Sequence, residues 1–205
     1  EGDKGKNTGG MGCYSPSRLL NAKLDEKINN KIIIPTLNAI KEMGSEYIGF
    51  LYVGLMIKNG NPYLVEFNVR MGDPECQTIL PLLKNDLCEI FFNCCTGKLS
   101  EKMIRLNDQK SICIVVCSKG YPEDFKKNSE INQLNKLSLK NNEYIFHAGT
   151  KLKDNKILNS GGRVLNFVAV SNNLKKSREG LIKLINRLDW KDGFFRKDIA
   201  HKVID

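Results

Sequence analysis

"YLVEFNVRMGDPE", residues 63–75, sets Glu66, Asn68 and Arg70 at every second position of an aromatic and β-branched run, then breaks into a Gly-Asp-Pro-Glu turn. Side chains at alternate strand positions share a face, so these three groups point one way while Val65, Phe67 and Val69 point the other. The apolar face is expected in a core. The polar face must meet water, partner groups or a ligand, because a charge buried alone is costly. A glutamate and an asparagine offer hard oxygen ligands that suit Mg2+, a cation that commonly completes its shell with nucleotide phosphates and water. The neighbouring arginine can hold phosphate or carboxylate in a two-pronged fork. In the turn, Asp73 is placed to cap a helix, Pro74 to occupy its first position and Glu75 to complement its positive end, which also attracts anions. A plain cap beside a solvated strand face explains the same spacing equally well.

Upstream, "YIGFLYVGLMIK" (47–58) reads as a strand joined through "NGNP" to 63–69, an antiparallel hairpin. Before it, "NAKLDEKINNKIIIPTLNAIKEM" repeats Leu24, Ile28 and Ile32, then Ile33, Leu37 and Ile40, at helical spacing. Pro35 is costly inside a continuous helix and acceptable in a first turn, so two helices or one kinked helix are expected. The opening "EGDKGKNTGGMGCYSPS" reads as loop. It lacks the Gly-Lys-Ser/Thr ending of a P-loop, although unhindered glycine amides can wrap a phosphate or a small substrate.

Downstream, "CQTILPLL" and "DLCEIFFNCC" carry short helical patterns. "SICIVVCS" and "RVLNFVAV" read as strands, "YIFHAGTKL" as an extended segment, and "NLKKSREGLIKLINRL" as an amphipathic helix with Leu174, Leu181, Leu184, Ile185 and Leu188 on one face. The net charge of +9 lies wholly in the second half: residues 1–100 hold 11 Lys and Arg against 11 Asp and Glu, residues 101–205 hold 21 against 12. That asymmetry places a domain boundary near residue 100.

With 205 residues and 41% hydrophobic content the chain can bury one good core or two small ones, and it reads as soluble and globular. It begins at Glu1 without a methionine or a charged-then-apolar leader, and reads as a fragment without a secretion signal. Seven cysteines without CxxC spacing, and only His147 and His201 to complete a zinc site, point to reduced thiols. Cys113 and Cys117 fall within an apolar run and are expected to be buried small hydrophobes.

Taken in order, "NTGGMGCYSP", "FLYVGLMI", "VEFNVRMGDPECQTILPLL", "HAGTKL", "GGRVL" and "FRKDIAHKVI" resemble the phosphoribosylamine–glycine ligases, glycinamide ribonucleotide synthetases of the ATP-grasp superfamily. The resemblance spans essentially the whole chain and corresponds to the second half of the usual enzyme. It implies an α+β fold: the C-terminal part of an ATP-grasp core, an antiparallel sheet with helices, over 1–100, then a small mixed, mainly β C-terminal domain over 101–205.

It also implies cytoplasmic, ATP-dependent joining of glycine to 5-phosphoribosylamine through a glycyl phosphate. Glu66 and Asn68 would then be ligands of Mg2+ or Mn2+ bridging the ATP phosphates, and Arg70 would stabilise charge on the acyl phosphate. Asp73 and Glu75 would line the glycine or amine site. Asn7, Thr8, Gly9 and Gly10, in the loop 7–12, would close over phosphoribosylamine. His147 and Arg163 match family motifs without an assigned role. Many ATP-grasp enzymes carry another carboxylate on the preceding strand; "GFLYVGLMI" has none, so one protein-held cation is expected. The implied partners are these small molecules and the N-terminal half of the same enzyme, without which the chain is expected to be inactive. Two rival readings remain open here: an ATP-grasp ligase acting on another carboxylate such as formate or bicarbonate, and a basic nucleic-acid-binding module in residues 101–205.

Overall fold

A computed structural model describes residues 1–204. Its elements are β1 (Gly12–Ser15), α1 (Ala22–Ile28), a π-helical turn (Asn29–Ile33), α2 (Ile34–Glu42), β2 (Tyr52–Lys58), β3 (Asn61–Asn68), α3 (Glu75–Ile79), α4 (Leu87–Cys95), β4 (Lys110–Ser118), β5 (Glu143–His147), β6 (Thr150–Lys153), β7 (Lys156–Asn159), β8 (Arg163–Ser171), α5 (Leu174–Ile185) and β9 (Gly193–Phe194). They form two compact units, each discontinuous in sequence: residues 1–15, 73–82 and 107–205 in one, residues 16–72 and 83–106 in the other.

The first unit is built on an antiparallel sheet of order β1-β4-β8-β5, with β9 pairing the far end of β4. β4 is buried along almost its whole length, which explains why "SICIVVCS" shows no alternation of apolar and polar residues. Ile112, Ile114 and Val116 on one face join Phe167, Leu181, Leu184, Ile185 and Trp190 in the larger cluster. Cys113, Val115 and Cys117 on the other join Met11 and Val168, and α3 packs against β1, β4 and β8. The apolar stripe of α5 is thus covered as its periodicity predicts, each buried leucine contributing about 1.5–3 kcal/mol.

Burial pushes the thiols of Cys13 and Cys117 up to about 12, and that of Cys113 well above its ordinary value. At pH 8 a thiol at 12 is ionised to only about one part in 10⁴, and the thiolate is the reactive form. Iodoacetamide at pH 8 is therefore expected to label the exposed Cys88 and Cys95 first and to leave Cys13, Cys113 and Cys117 unmodified, a pattern that peptide mass mapping resolves.

Three expectations are corrected in this unit. Residues 12–15, read as loop, form an edge strand because β4 offers them a free edge; such long-range pairing leaves little local signal. "YIFHAGTKL" splits into β5 and β6 around Ala148–Gly149, and β6 turns back through Asp154–Asn155, both at positive φ, into β7, a hairpin not foreseen. Asp73 does not cap α3: the cap residue is Pro74, with no side-chain hydrogen bond, and α3 has only five residues.

In the second unit α1 and α2 run on through the π-helical turn, which ends at Ile33, so that Pro35 falls in the first turn of α2. A widened turn accommodates a residue that cannot donate to the helix ladder, and so reconciles the two helical alternatives. β2 and β3 form the expected hairpin. Its turn is the two residues Asn59 and Gly60, at φ 51° and 68°, the left-handed conformation that an Asn-Gly pair accepts readily. Lys27 Nζ of α1 donates to Gly60 O at 2.7 Å and Asn61 Oδ1 at 2.9 Å, fastening the helix to that turn. Asp86 caps α4 by accepting from the amides of Cys88 and Glu89.

Two details of the hairpin differ from the sequence reading. Pairing begins at Tyr52 rather than residue 47, because Asn68, its partner, is the last residue of β3. The face expected in a core is largely open: Val65 is 65% exposed and Val69 77%, and only Phe67 is partly covered. No helix of the described residues is long and apolar enough to cross a membrane.

Candidate active site

The polar row is positioned by an irregularity in the hairpin. Glu66 lies opposite Gly54, but the next pair is Leu55 with Leu64, so Val65 is an extra, bulged residue immediately before the row. A bulge bends and twists a strand and re-aims the side chains beside it. Glu66 and Asn68 then follow at alternate positions, and Arg70 lies just beyond the strand end. The three are joined in sequence by hydrogen bonds. Asn68 Nδ2 donates to Glu66 Oε1 at 3.0 Å, and Arg70 Nη2 donates to Asn68 Oδ1 at 3.3 Å. Arg70 Nη1 also donates to the Met71 carbonyl at 2.9 Å, which restrains the guanidinium. Gly54 makes room for the row, since a Cβ there would stand 3.0 Å from Glu66 Cγ. The hairpin thus places a carboxylate, an amide and a guanidinium in one line.

A second cluster forms in the other unit, around the glycine-rich loop and the Asp73–Pro74 turn. A Cβ on Gly10 would stand 2.4 Å from Pro74 Cδ and 2.9 Å from Asp73 O, closer than real Cβ atoms come. Gly9 donates its amide to Tyr121 Oη at 3.0 Å, and a Cβ there would meet that oxygen at 2.9 Å and Arg163 Cζ at 3.2 Å. Arg163, at the start of β8, bonds the carbonyls of Asp73 at 2.8 Å and Gly10 at 3.3 Å through Nη1, and pairs with Asp73 Oδ2 at 2.9 Å through Nη2. Asp73 Oδ1 accepts from Gln77 Nε2 at 3.1 Å. This salt bridge, rather than a helix cap, is the structural use of the Asp73 carboxylate.

Asn7 and Thr8 line a cavity of about 430 Å3 with Lys4, Lys6, Tyr121 and Arg196. The segment leading into it is tethered by ionic contacts. Gly2 N donates to Asp198 Oδ2 at 2.9 Å, and Asp3 meets Arg196 at 3.2 Å and Lys202 at 2.8 Å. The Arg196 guanidinium holds the Asp198 carboxyl well below the usual carboxylate range, and Lys202 with Arg196 lowers that of Asp3.

Of the site residues expected from sequence, Glu66, Asn68 and Arg70 come together on the hairpin. Asn7, Thr8, Gly9, Gly10 and Asp73 belong to the other unit, as does Glu75, the first residue of α3. Sequence reasoning gave no part to Tyr121 and none to Arg163, although "GGRVL" was among its motifs. The residues Arg163 binds are distant in sequence, and two of its three contacts are to backbone oxygen, which leaves no pattern to read. His147 is exposed, and its Nδ1 lies 2.9 Å from Thr150 Oγ1, a local bond across the β5–β6 break.

Solved structures of biotin carboxylases superimpose on this chain at TM-scores near 0.62 with 16% identity or less; one from a Hydrogenobacter thermophilus 2-oxoglutarate carboxylase covers 91% of the chain. The chain therefore shares its fold with those carboxylase domains. Two family models divide the chain between them: the ATP-grasp (A) domain of phosphoribosylglycinamide synthetase matches residues 1–76, and the C domain of the same synthetase matches residues 111–202. The chain belongs to the phosphoribosylglycinamide synthetase family.

A phosphoribosylamine–glycine ligase of Haemophilus influenzae is 40% identical over the whole chain, which covers 48% of that protein. The trifunctional purine biosynthetic protein adenosine-3 of Gallus gallus is 42% identical, again over the whole chain, which covers 20% of it. The crystal structure of a phosphoribosylamine–glycine ligase from Thermotoga maritima matches at a TM-score of 0.83 and 32% identity, over 98% of this chain and 49% of that one. The chain thus spans about half the length of most of the relatives it matches.

Proposed function

We propose that this chain supplies the metal-binding hairpin and the glycine-rich substrate loop of a cytoplasmic enzyme that joins glycine to 5-phosphoribosylamine at the expense of ATP, for de novo purine synthesis. The observation that carries this reading is the hydrogen-bonded row Glu66–Asn68–Arg70 in a chain of this family. ATP would phosphorylate the glycine carboxylate, and the amine of phosphoribosylamine would displace phosphate from the acyl phosphate, giving glycinamide ribonucleotide, ADP and phosphate. No covalent bond to protein is needed, so the residues act by positioning and by charge neutralisation.

Glu66 and Asn68 fit a divalent cation such as Mg2+ or Mn2+ in the chemistry of their oxygens. Among the described residues no group of three or more His, Cys, Asp or Glu side chains could hold a metal by itself, so the shell would be shared with phosphate and water. Asn68 turns its amide nitrogen to Glu66 and its oxygen to Arg70. Presenting both oxygens to one cation requires that amide to turn over and the Asn68–Glu66 bond to give way. The cation would supply charge neutralisation at the ATP phosphates. Arg70 would stabilise the anionic acyl phosphate as the amine attacks. Asp73 and Glu75 would orient glycine or the amine, and Asn7, Thr8, Gly9 and Gly10 would enclose phosphoribosylamine.

The test is phosphate release by the full-length protein, with the product identified by mass spectrometry. Release that requires both glycine and phosphoribosylamine is expected. Release with formate or bicarbonate in place of glycine would assign the chain to another ATP-grasp ligase.

Gly54→Val is expected to crowd Glu66 from across the hairpin while removing neither proposed ligand. Gly54 supports a ligand from outside the ligand set, and altering such a support weakens metal binding about 10–100-fold. A Mg2+ titration of the variant's turnover should show half-saturation shifted upward by at least about tenfold, with full activity regained at high Mg2+.

A further inference from the structure

Arg163 joins two segments of the proposed substrate site. Its guanidinium bonds the Gly10 carbonyl at 3.3 Å, the Asp73 carbonyl at 2.8 Å and the Asp73 carboxylate at 2.9 Å. The backbone of Gly9 rests against it, so close that a Cβ would stand 3.2 Å from Cζ, and the Gly9 amide donates to Tyr121 Oη at 3.0 Å. Gly10 in turn abuts Pro74 without room for a side chain. The side chain of Arg163 is 25% exposed and that of Asp73 40%, so water reaches the pair and charge attraction alone is weak. What the contacts supply is geometry: a planar fork fixes two acceptors relative to each other as a flexible ammonium does not.

We propose that Arg163 is a positioning residue of the substrate site, a clamp that fixes the glycine-rich loop against the Asp73–Pro74 turn and so sets the spacing between the groups that meet glycine and phosphoribosylamine. The proposal rests on the functional reading above for its effect on catalysis, but the clamp itself is a property of the fold. A side chain committed to two carbonyls and a carboxylate acts through the segments it holds, and its loss should loosen the loop before it loosens the sheet. β8, on which it is carried, is buried along its length and paired on both edges, so it is a rigid base for such a clamp.

Arg163→Met and Arg163→Lys in the full-length protein separate the two layers. Amide hydrogen exchange, which needs no substrate, is expected to rise at least about tenfold at Gly9 and Gly10 in the Met variant while the amides of β4 and β8 keep their protection. The Lys variant should fall between wild type and Met, because it restores charge without the fork. In turnover, the KM for phosphoribosylamine or glycine should rise at least about tenfold in the Met variant, with the KM for ATP within about twofold of wild type. Unchanged exchange at Gly9 and Gly10 overturns the clamp. So does faster exchange spread equally over β4 and β8, with kcat reduced and every KM unchanged, because that is the behaviour of a merely structural residue. If wild type shows no glycine-dependent turnover, the functional reading fails, and the exchange data still decide the clamp.

Discussion

Glu66→Gln in the full-length protein is expected to cut turnover about 10²–10³-fold without measurable change in thermal stability. The substitution keeps the shape of the side chain and an oxygen able to accept the 3.0 Å hydrogen bond from Asn68 Nδ2, so the row should remain assembled. Glu66 is exposed in this chain and forms no part of either buried cluster, so little packing is at stake. What disappears is one negative charge at the point where the hairpin would face a cation shared with the ATP phosphates. A neutral amide oxygen is a far weaker partner for Mg2+ than a carboxylate. The deficit should therefore appear as a loss of turnover together with a raised Mg2+ requirement. Turnover near wild type at moderate Mg2+ would show that Glu66 is not a ligand.

How much of this was legible in the sequence follows the range of the interactions. The β2–β3 hairpin, the α5 stripe and the polar row were readable because each is written in a local period, two for strands and about 3.6 for helices. The π-helical turn before Pro35 was half legible: the proline announced an irregularity, but only packing decides which kind. Residues 12–15 carry no such period, because their strand exists only against Ser111–Ile114 of β4, a hundred residues away. The same is true of Asp73. Its sequence context, a small acidic residue before proline and glutamate, is that of a helix cap, but Arg163 is within reach at 2.9 Å and a charge-assisted pair wins over a cap on a five-residue helix. The apolar face of β3 was predicted buried from alternation. Alternation tells which side chains share a face and is silent on what lies over it, and it misses that Val65 is the bulged residue and that Val69 lies beyond the strand end, so both are exposed in this chain. Gly9 and Gly10 were recognised as glycines that let backbone come close, whereas the partners they approach, Tyr121, Pro74 and Arg163, were hidden by sequence distance.

That close approach leads to the second large effect. Gly10→Ala is expected to lower turnover about a hundredfold, because displacing bound groups by about 1 Å is enough to do so. The added Cβ would lie 2.4 Å from Pro74 Cδ and 2.9 Å from the Asp73 carbonyl oxygen, a ring and a backbone atom rather than the end of a flexible side chain. Pro74 cannot easily retreat: its carbonyl accepts from both the Thr78 amide at 3.2 Å and Thr78 Oγ1 at 3.0 Å, and Thr78 is buried. Nor can the loop back away freely while Arg163 holds the Gly10 carbonyl. The strain is steric, since Gly10 is not in the left-handed region. Its cost to stability should be about 1–3 kcal/mol, the usual range for overpacking, and should appear as a small fall in Tm. Gly5→Ala is the matched control. Nothing lies within 4 Å of a Cβ at Gly5, and its φ is not positive, so turnover and Tm should both stay near wild type. If the two variants behave alike, in kcat/KM for phosphoribosylamine and in Tm, the loop is not seated against the turn in the working enzyme. A selective defect in Gly10→Ala is the expected result, because the sequence Asn-Thr-Gly-Gly reaches Pro74 only where the second glycine has no side chain.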